Sequence, residues 1–259
     1  MTQLAELAVR LRALHHEDAP LILPNAWDVA SARAVERAGA MAIATSSSAV
    51  AESLGFEDGE NAPPDEMFAA IGRIARSVPL PVTADVEGGY GMEAGELVER
   101  LVATGAVGMN VEDTDRGGAS TLVGIEHQAQ RIAAIRHAAE STGVPLVINA
   151  RIDVYLRDRR PPEETTDEAI ERARAYLAAG ADCVYPIWLT DADLIAGIVA
   201  ALHAPLNVLL RPGAPGIAEL HRLGVRRISV GGGLMKRAMD SVEADARAVL
   251  GGDATRFTA

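Results

Sequence analysis

Cysteine and aromatic residues are nearly absent from this chain of 259 residues. With one cysteine, Cys183, no disulfide can form within the chain, and a sole thiol in an apolar run is typical of a reducing compartment such as the cytoplasm. Aromatic residues make up 3%, so the core must be packed from Ala, Val, Leu and Ile. The 49% of hydrophobic residues suffices for one large core or two small ones.

Runs of basic residues and long apolar stretches are also missing. The net charge is −12, which excludes nucleic acid and anionic membrane surfaces as expected partners. No apolar stretch approaches the roughly 20 residues that span a bilayer. The first residues, MTQLAELAVRLRALHH, predict an amphipathic helix with charges throughout, unlike the apolar centre of a signal peptide. We therefore expect a cytoplasmic protein.

Short apolar runs alternate with helical patterns along the whole chain. After an N-terminal helix, eight strand–helix units of about 30 residues each predict an α/β protein with the (β/α)₈ architecture of a TIM barrel. An open doubly wound sheet is the alternative, but the first strand lacks the G-x-G-x-x-G turn of a dinucleotide site. No shift of composition divides residues 1–259, which predicts a single domain. The predicted strands are 21–24, 41–45, 81–85, 108–112, 145–150, 183–187, 206–210 and 227–230.

Carboxylates stand at the ends of two consecutive predicted strands. Asp85 and Glu87 end the third strand, and they share one face because side chains alternate along a strand. Glu112 ends the fourth. Each acid alone could cap a helix or stay solvated, but together they form a cluster that is unfavourable without a cation or shared protons. Because all the ligands are hard oxygens, the pattern predicts a Mg²⁺ or Mn²⁺ site.

Two further features follow predicted strands. The turn Ser46-Ser47-Ser48 offers hydroxyl and amide groups that can hold a carboxylate or a developing oxyanion, although an ordinary polar loop has the same composition. Arg151 stands at the end of the fifth strand, opposite the acids. It can clamp a substrate carboxylate in bidentate fashion or form a structural ion pair with Asp153 or Glu112, and spacing alone leaves both open.

The chain resembles the isocitrate lyase and phosphoenolpyruvate mutase superfamily over nearly its whole length. The pair TADVEGGYG and NVED is specific in this order and spacing. The stretches that carry the resemblance are PNAWDVASARAVERAGA, TSSSAVAESLG, PVTADVEGGYG, GMNVEDTD, INARIDVYL and RISVGGGLMKRAM.

The resemblance implies a barrel with Mg²⁺ or Mn²⁺ at the carboxyl ends of its strands. Asp85 would contact the metal directly, and Glu87 and Glu112 would act largely through water. The implied substrate is a small 2-oxo or 2-hydroxy carboxylate, with Arg151 at its carboxylate and the serine-turn amides at the enolate. Asp58 matches an acid of the mutase branch. The resemblance also implies a homodimer or homotetramer that exchanges its C-terminal helices.

Departures from the family pattern narrow the expected activity. Isocitrate and methylisocitrate lyases carry Lys-Lys-Cys-Gly-His after the fourth strand, where this chain has TDRGGAS at 114–120. Mutases and phosphonopyruvate hydrolases carry a lysine in that loop and a histidine after the sixth strand, where this chain has Pro186-Ile187-Trp188. The remaining branch includes oxaloacetate decarboxylase-like and substituted-malate-lyase-like enzymes.

The leading hypothesis is therefore a metal-dependent lyase that cleaves a carbon–carbon bond through an enolate. The alternatives are a phosphonomutase or phosphonopyruvate hydrolase, and a catalytically silent protein that binds 2-oxo acids. The loops 49–64 and 115–124 are expected to close over the site. Spacing does not choose the acid–base group among four residues, which are Asp58, Tyr90, Glu126 and Tyr185.

Overall fold

The structure is a computed structural model that describes residues 2–116, 121–158, 160–253 and 255–258. Its strands are β1 (Leu21–Leu23), β2 (Asn25–Ala26), β3 (Ile43–Thr45), β4 (Val82–Asp85), β5 (Gly108–Glu112), β6 (Val147–Ile152), β7 (Cys183–Pro186), β8 (Asn207–Leu209) and β9 (Arg227–Ser229). Its helices are α1 (Gln3–Leu14), α2 (Val29–Arg37), α3 (Ser47–Leu54), α4 (Pro64–Ala75), α5 (Ala94–Thr104), α6 (Ile125–Thr142), α7 (Val154–Arg157), α8 (Pro162–Ala178), α9 (Ala192–Leu202), α10 (Ile217–Arg222), α11 (Gly233–Leu250) and α12 (Thr255–Thr258).

The strands pair in parallel around a closed barrel. One sheet has the order β2-β3-β4-β5-β6-β7 and the other the order β1-β9-β8. The first predicted strand is split at Pro24, so that β1 pairs with β9 while β2 pairs with β3. A bridge between Val184 and Leu206 joins the sheets on the other side. The predicted (β/α)₈ fold is confirmed, while the single domain and the helix exchange stay predictions.

One predicted loop was wrong. Residues 49–64 were expected to lack regular structure, but their first part belongs to α3. Ser46 caps this helix with an extended backbone, and Gly55 ends it in the left-handed conformation that glycine adopts without strain. The serines were interpreted as a turn, although Ser is also a preferred residue at a helix start. The remaining segment, 55–63, still reaches the site.

Helix α1 covers the amino-terminal end of the barrel. Leu11 lies so close to Gly108 of β5 that a Cβ on this glycine would approach its side chain to 2.9 Å. His15 is buried next to α1, where its Nδ1 lies 2.8 Å from the Leu11 carbonyl oxygen and its Nε2 lies 3.3 Å from Nη1 of Arg227. Polar side chains at the opposite end are therefore the ones open to a ligand. No helix in the described ranges is long and apolar enough to cross a membrane.

Acid should destabilise the fold through His15. Burial, and then the charge of Arg227, lower the pKa of this imidazole from 6.5 to about 3. The unfolded chain takes up the proton near pH 6.5 and the folded chain does not, so the contribution of His15 is complete above pH 6.5. It is lost as pH falls towards 3, by at most about 1.4 kcal/mol per pH unit.

We predict that urea unfolding of His15→Gln between pH 4.5 and 6 shows a shallower dependence of the free energy of unfolding on pH than the parent. His137→Gln, at an exposed position of α6, is the matched control and should retain the parental slope. Equal slopes in the parent and His15→Gln would contradict this role.

Candidate active site

A cavity of about 280 Å³ opens at the carboxyl ends of the strands. It collects the predicted residues that stand far apart in the chain. These are Ser46, Ser47, Ser48, Asp58, Asp85 and Arg151. Glu87 and Glu112 do not line it, and Glu112 instead lines a neighbouring cavity of about 410 Å³ together with Arg116. The structure thus brings together the predicted catalytic residues and one of the three predicted metal ligands.

Asp85 ends β4 with one oxygen held and the other free. Its Oδ2 accepts hydrogen bonds from the amide and hydroxyl of Ser47, at 3.2 and 2.9 Å. Its backbone N–H donates to the hydroxyl of Thr45 at 2.9 Å, which anchors the strand end. Its Oδ1 is buried and has no hydrogen-bond partner in the described residues. A buried carboxylate oxygen without a donor is costly, and a cation would offset that cost.

Glu87 lies behind the cavity in a strained turn. Its φ of 53° is left-handed, a conformation that non-glycine residues rarely adopt. Its Oε1 accepts from the hydroxyl of Tyr90 at 3.1 Å, and its Oε2 accepts from the amide of Glu60 at 2.7 Å. Burial, followed by the charges of Asp85 and Asp58, raises the pKa of Glu87 to about 7. The turn is thus locked to the segment that carries Asp58.

Glu112 is held between two arginines at the end of β5. Nη2 of Arg151 lies 2.6 Å from its Oε2, and Nε of Arg116 donates to its Oε1 at 2.9 Å. The same Arg116 reaches Glu87, with 3.7 Å between Nη2 and Oε2. Arg116 therefore neutralises part of the acid cluster, a role that the sequence analysis missed. The sequence gives little indication of this role. A spacing of four residues between an acid and an arginine predicts an ion pair only within a helix, and Arg116 follows a strand.

The donor set fits a divalent cation only in part. Asp85 fits as a direct ligand, because its Oδ1 is buried and accepts no hydrogen bond from the part of the chain that the structure describes. Both oxygens of Glu87 and Oε1 of Glu112 already accept hydrogen bonds from protein groups, and Oε2 of Glu112 forms an ion pair with Arg151. These two acids could therefore act through water or after Arg116 moves. In the ranges that the structure describes, no three acidic, histidine or cysteine side chains converge on a common point. The three-acid metal site stays a prediction.

Arg151 forms ion pairs with both Asp153 and Glu112, and it also lines the cavity. Its Nε and Nη2 donate to Asp153 at 2.6 and 2.8 Å. Asp153 is itself fixed, since its backbone N–H donates to Asp113 at 2.8 Å and it accepts from the hydroxyl of Thr114. Nη1 of Arg151 has no hydrogen bond to the described residues. This nitrogen is the part of the guanidinium left for a ligand.

The three serines at the start of α3, which we continue to call the serine turn, have two different roles. Ser47 supports Asp85, while Ser46 and Ser48 are open to a ligand. Ser47 uses both its amide and its hydroxyl on Asp85, so it positions the acid. The hydroxyls of Ser46 and Ser48 lie 3.0 Å apart. Gly232 packs against them, and a Cβ there would lie 3.4 Å from the Ser48 hydroxyl. Ser46 and Ser48 are thus the hydroxyls of the turn that a ligand could use.

The four acid–base candidates separate into two pairs. Asp58 and Tyr185 line the cavity, and the Ser47 hydroxyl lies 3.3 Å from Oδ1 of Asp58. Tyr90 instead bonds to Glu87, and Glu126 is exposed in the first turn of α6. Of the loop 115–124, residues 117–120 lie outside the described residues.

Cavity residues that the sequence analysis did not single out as site residues include Asn25 and Asn110. Oδ1 of Asn25 accepts from the amides of Val230 and Gly231 at 2.9 Å, and its Nδ2 donates to the Thr45 carbonyl at 2.8 Å. It therefore ties β2 to its neighbours on both sides. Alternation along β5 could have revealed Asn110, because it shares a strand face with Glu112.

We predict that Arg116→Gln binds divalent cations about tenfold more tightly than the parent. Removing a positive charge a few Å from partly buried acids is worth ~1–2 kcal/mol of cation attraction. The measurement is a Mn²⁺ titration followed by electron paramagnetic resonance of the free ion. Arg100→Gln, which removes an arginine from the surface pair with Asp65, is the charge-matched control. Equal Mn²⁺ affinities in Arg116→Gln and Arg100→Gln would refute the idea that Arg116 and a bound cation compete for the same acids.

The chain is similar to known proteins over most of its length. The model of the phosphoenolpyruvate phosphomutase family matches residues 11–250. The uncharacterized protein Rv1998c of Mycobacterium tuberculosis is 35% identical over 242 residues, covering 93% of this chain and 88% of that protein. An oxaloacetate decarboxylase from a Bradyrhizobium species is 30% identical over 203 residues, covering 70% and 68%. The structure of a provisionally assigned phosphonomutase from Burkholderia cenocepacia J2315 is 40% identical, with a TM-score of 0.88 and coverages of 93% and 99%.

Proposed function

The chain belongs to the phosphoenolpyruvate phosphomutase family, and from this premise we propose that it is a lyase or decarboxylase that breaks a carbon–carbon bond of a small 2-oxo or 2-hydroxy carboxylate. The observation that carries the proposal is Oδ1 of Asp85, which has no hydrogen bond to the described residues and lies in one cavity with Arg151 and the serine turn. The similarity to an oxaloacetate decarboxylase supports this reaction class. The volume of about 280 Å³ suits a ligand of a few carbon atoms.

The chain's own groups can bind and orient such a ligand. Nη1 of Arg151 would donate to the carboxylate, and the hydroxyls of Ser46 and Ser48 would donate to its remaining oxygens. Because Arg151 is fixed by Asp153 and Glu112, it requires little reorganisation when negative charge develops on the ligand. Cleavage leaves an electron pair on the third carbon as an enolate, and Asp58 at the cavity wall is the group we assign to deliver a proton there.

The proposed cofactor is Mg²⁺ or Mn²⁺. Asp85 would hold it directly, and Glu87 and Glu112 would do so through water. When bound, the ion would withdraw charge from the oxo and carboxylate oxygens of the ligand. Asp85 is prepared for this role because Ser47 fixes its other oxygen.

We also propose that the protein forms a homodimer or homotetramer through α11. This helix exposes Met239, Val242, Val249 and Leu250, and in the described part of the helix Met235 alone is buried. Four apolar side chains exposed on one helix are typical of a surface that a partner covers.

Phosphorus–carbon bond chemistry is the second candidate. The 40% identity to the provisionally assigned phosphonomutase favours it. The absence of a lysine from residues 114–120 of the sequence disfavours it. Phosphorus NMR of the protein with phosphonopyruvate and Mg²⁺ separates the two, since conversion of that compound would assign the protein to the second class.

We predict that Asp85→Asn loses at least about 100-fold in turnover of 2-oxo dicarboxylates such as oxaloacetate, with an unchanged melting temperature within a few degrees. The amide keeps the shape of the side chain but offers a cation a much weaker ligand. Steady-state assays with Mg²⁺ and after treatment with a chelator measure the effect, and Asp167→Asn at an exposed position of α8 is the matched control. Full activity in Asp85→Asn or in chelated protein would refute the proposal.

A further inference from the structure

A buried arginine lies inside the barrel below the candidate site. Arg227 of β9 is among the largest fully buried side chains in the described residues. Its Nη1 lies 3.3 Å from Nε2 of His15, and its Nη2 donates to Oδ1 of Asn110 at 3.0 Å. Its Nε has no hydrogen bond to any residue that the structure describes. In the ranges that the structure describes it forms no ion pair with a carboxylate. A buried guanidinium without a counter-ion is costly, so its position calls for a functional explanation.

The neutral state of His15 fits this arrangement. Its Nδ1–H donates to the carbonyl oxygen of Leu11, which leaves Nε2 with a lone pair facing Arg227. His15 can therefore accept from the guanidinium without adding charge. Nη1 of Arg227 is thus held by His15 near the amino-terminal end of the barrel, and Nη2 is directed towards Asn110.

Arg227 determines which way the carboxamide of Asn110 points. An arginine has donors and no acceptor, so the atom of Asn110 that faces it must be the oxygen. Asn149, the neighbour of Asn110 in the register of β5 and β6, donates to the same oxygen at 2.8 Å. With two donors on Oδ1, a flip of the amide would place its N–H₂ against the donors of Arg227. The Nδ2 group is therefore held on the opposite side.

The opposite side is the cavity. Asn110 lines it and is opposite Asp85 in the register of β4 and β5. Nδ2 of Asn110 has no hydrogen bond to the described residues. The site thus contains a neutral donor in a fixed orientation, close to the acid with the unpaired oxygen.

We propose that Asn110 contacts the substrate, its Nδ2 donating to an oxygen of the bound oxo acid, and that Arg227 is the positioning residue that holds this donor in place. This inference rests on the proposed function, because it assumes an oxygen-rich anionic ligand in the cavity. A pre-oriented amide donor favours a ligand oxygen at this point, and it disfavours a ligand with an apolar group there, which would leave the amide buried without a partner.

Oxalate binding in the presence of Mg²⁺, measured by isothermal titration calorimetry, tests the contact. Asn110→Asp retains an oxygen for Arg227 and Asn149 but replaces the donor in the cavity with a negatively charged oxygen. We expect it to bind oxalate at least about 100-fold more weakly. Its melting temperature should stay within a few degrees of the parent, because the counter-ion that Arg227 gains offsets the added repulsion with Asp85. Asn207→Asp is the matched control. It places the same charge in β8 next to Arg227 in register but does not line the cavity, and its oxalate affinity should stay within about threefold of the parent.

A double-mutant cycle tests the positioning role. Arg227→Lys keeps the charge and loses the planar fork that spans His15 and Asn110. It should weaken oxalate binding by about fivefold or more in the parent and by less than twofold in the Asn110→Ala background. A merely structural arginine would weaken binding equally in both backgrounds, which would refute the role.

The outcomes also separate the two proposals. Parental oxalate affinity in Asn110→Asp or, should that variant not fold, in Asn110→Ala would overturn the inference and leave the proposed function standing. A parent protein that binds no oxalate would overturn the proposed function and the inference with it.

Discussion

Mutual repulsion among buried carboxylates is the constraint on which this site depends. Asp85, Glu87, Glu112 and Asp153 follow three neighbouring strands, and three of the four are almost fully buried. Parallel strands bring their carboxyl ends to the same edge, so the fold itself forces the acids together. Arg151 and Arg116 offset half of this formal charge through ion pairs with Glu112, Asp153 and Glu87. Oδ1 of Asp85 and Oε2 of Glu112 are both buried without a hydrogen bond to the described residues. Glu112 forms an ion pair with Arg151 through this oxygen, whereas Asp85 forms no ion pair in the described part of the chain.

This division of charge explains why one end of the barrel can bind a ligand and the other cannot. At the amino-terminal end, α1 and a neutral His15 close the barrel. At the carboxyl-terminal end, Arg151 is held by Asp153 and Glu112 and still lines the cavity. Arg227 connects the two ends, since its guanidinium contacts His15 at the floor and Asn110 at the cavity. The interior of the barrel is thus a polar network that supports the site from below.

The sequence predicted the barrel because its evidence was repetitive and local. Most predicted strands are apolar runs, and several helices end next to a glycine, such as Gly39 after α2 and Gly105 after α5, so most elements could be recognised one at a time. Helix α3 was missed because Ser46-Ser47-Ser48 is compatible with a turn and with a helix start, and the choice depends on the neighbouring backbone. The split of the first strand at Pro24 follows from barrel closure, which a local pattern does not contain.

The sequence predicted the residues of the candidate site that lie at the ends of strands, because side-chain alternation and strand boundaries can be inferred from a local pattern. Asp85, Arg151 and the serine turn share one cavity because all lie at the carboxyl ends of strands. The partners of Glu87 and Glu112 were not predictable, since Arg116 and Glu60 come from loops whose paths no periodicity fixes. Arg227 was overlooked because a buried arginine in an apolar strand has no local signal for its distant partners, which lie 117 and 212 residues away.

Anomalous diffraction from crystals of the protein soaked with Mn²⁺ and oxalate tests the central claim most directly. The account predicts one strong peak within about 2.3 Å of Oδ1 of Asp85, the contact range of such ions with oxygen ligands. It also predicts that oxalate lies between this peak, Arg151 and the serine turn. An anomalous map with no peak at Asp85, in crystals where Mn²⁺ binds elsewhere or not at all, would contradict it.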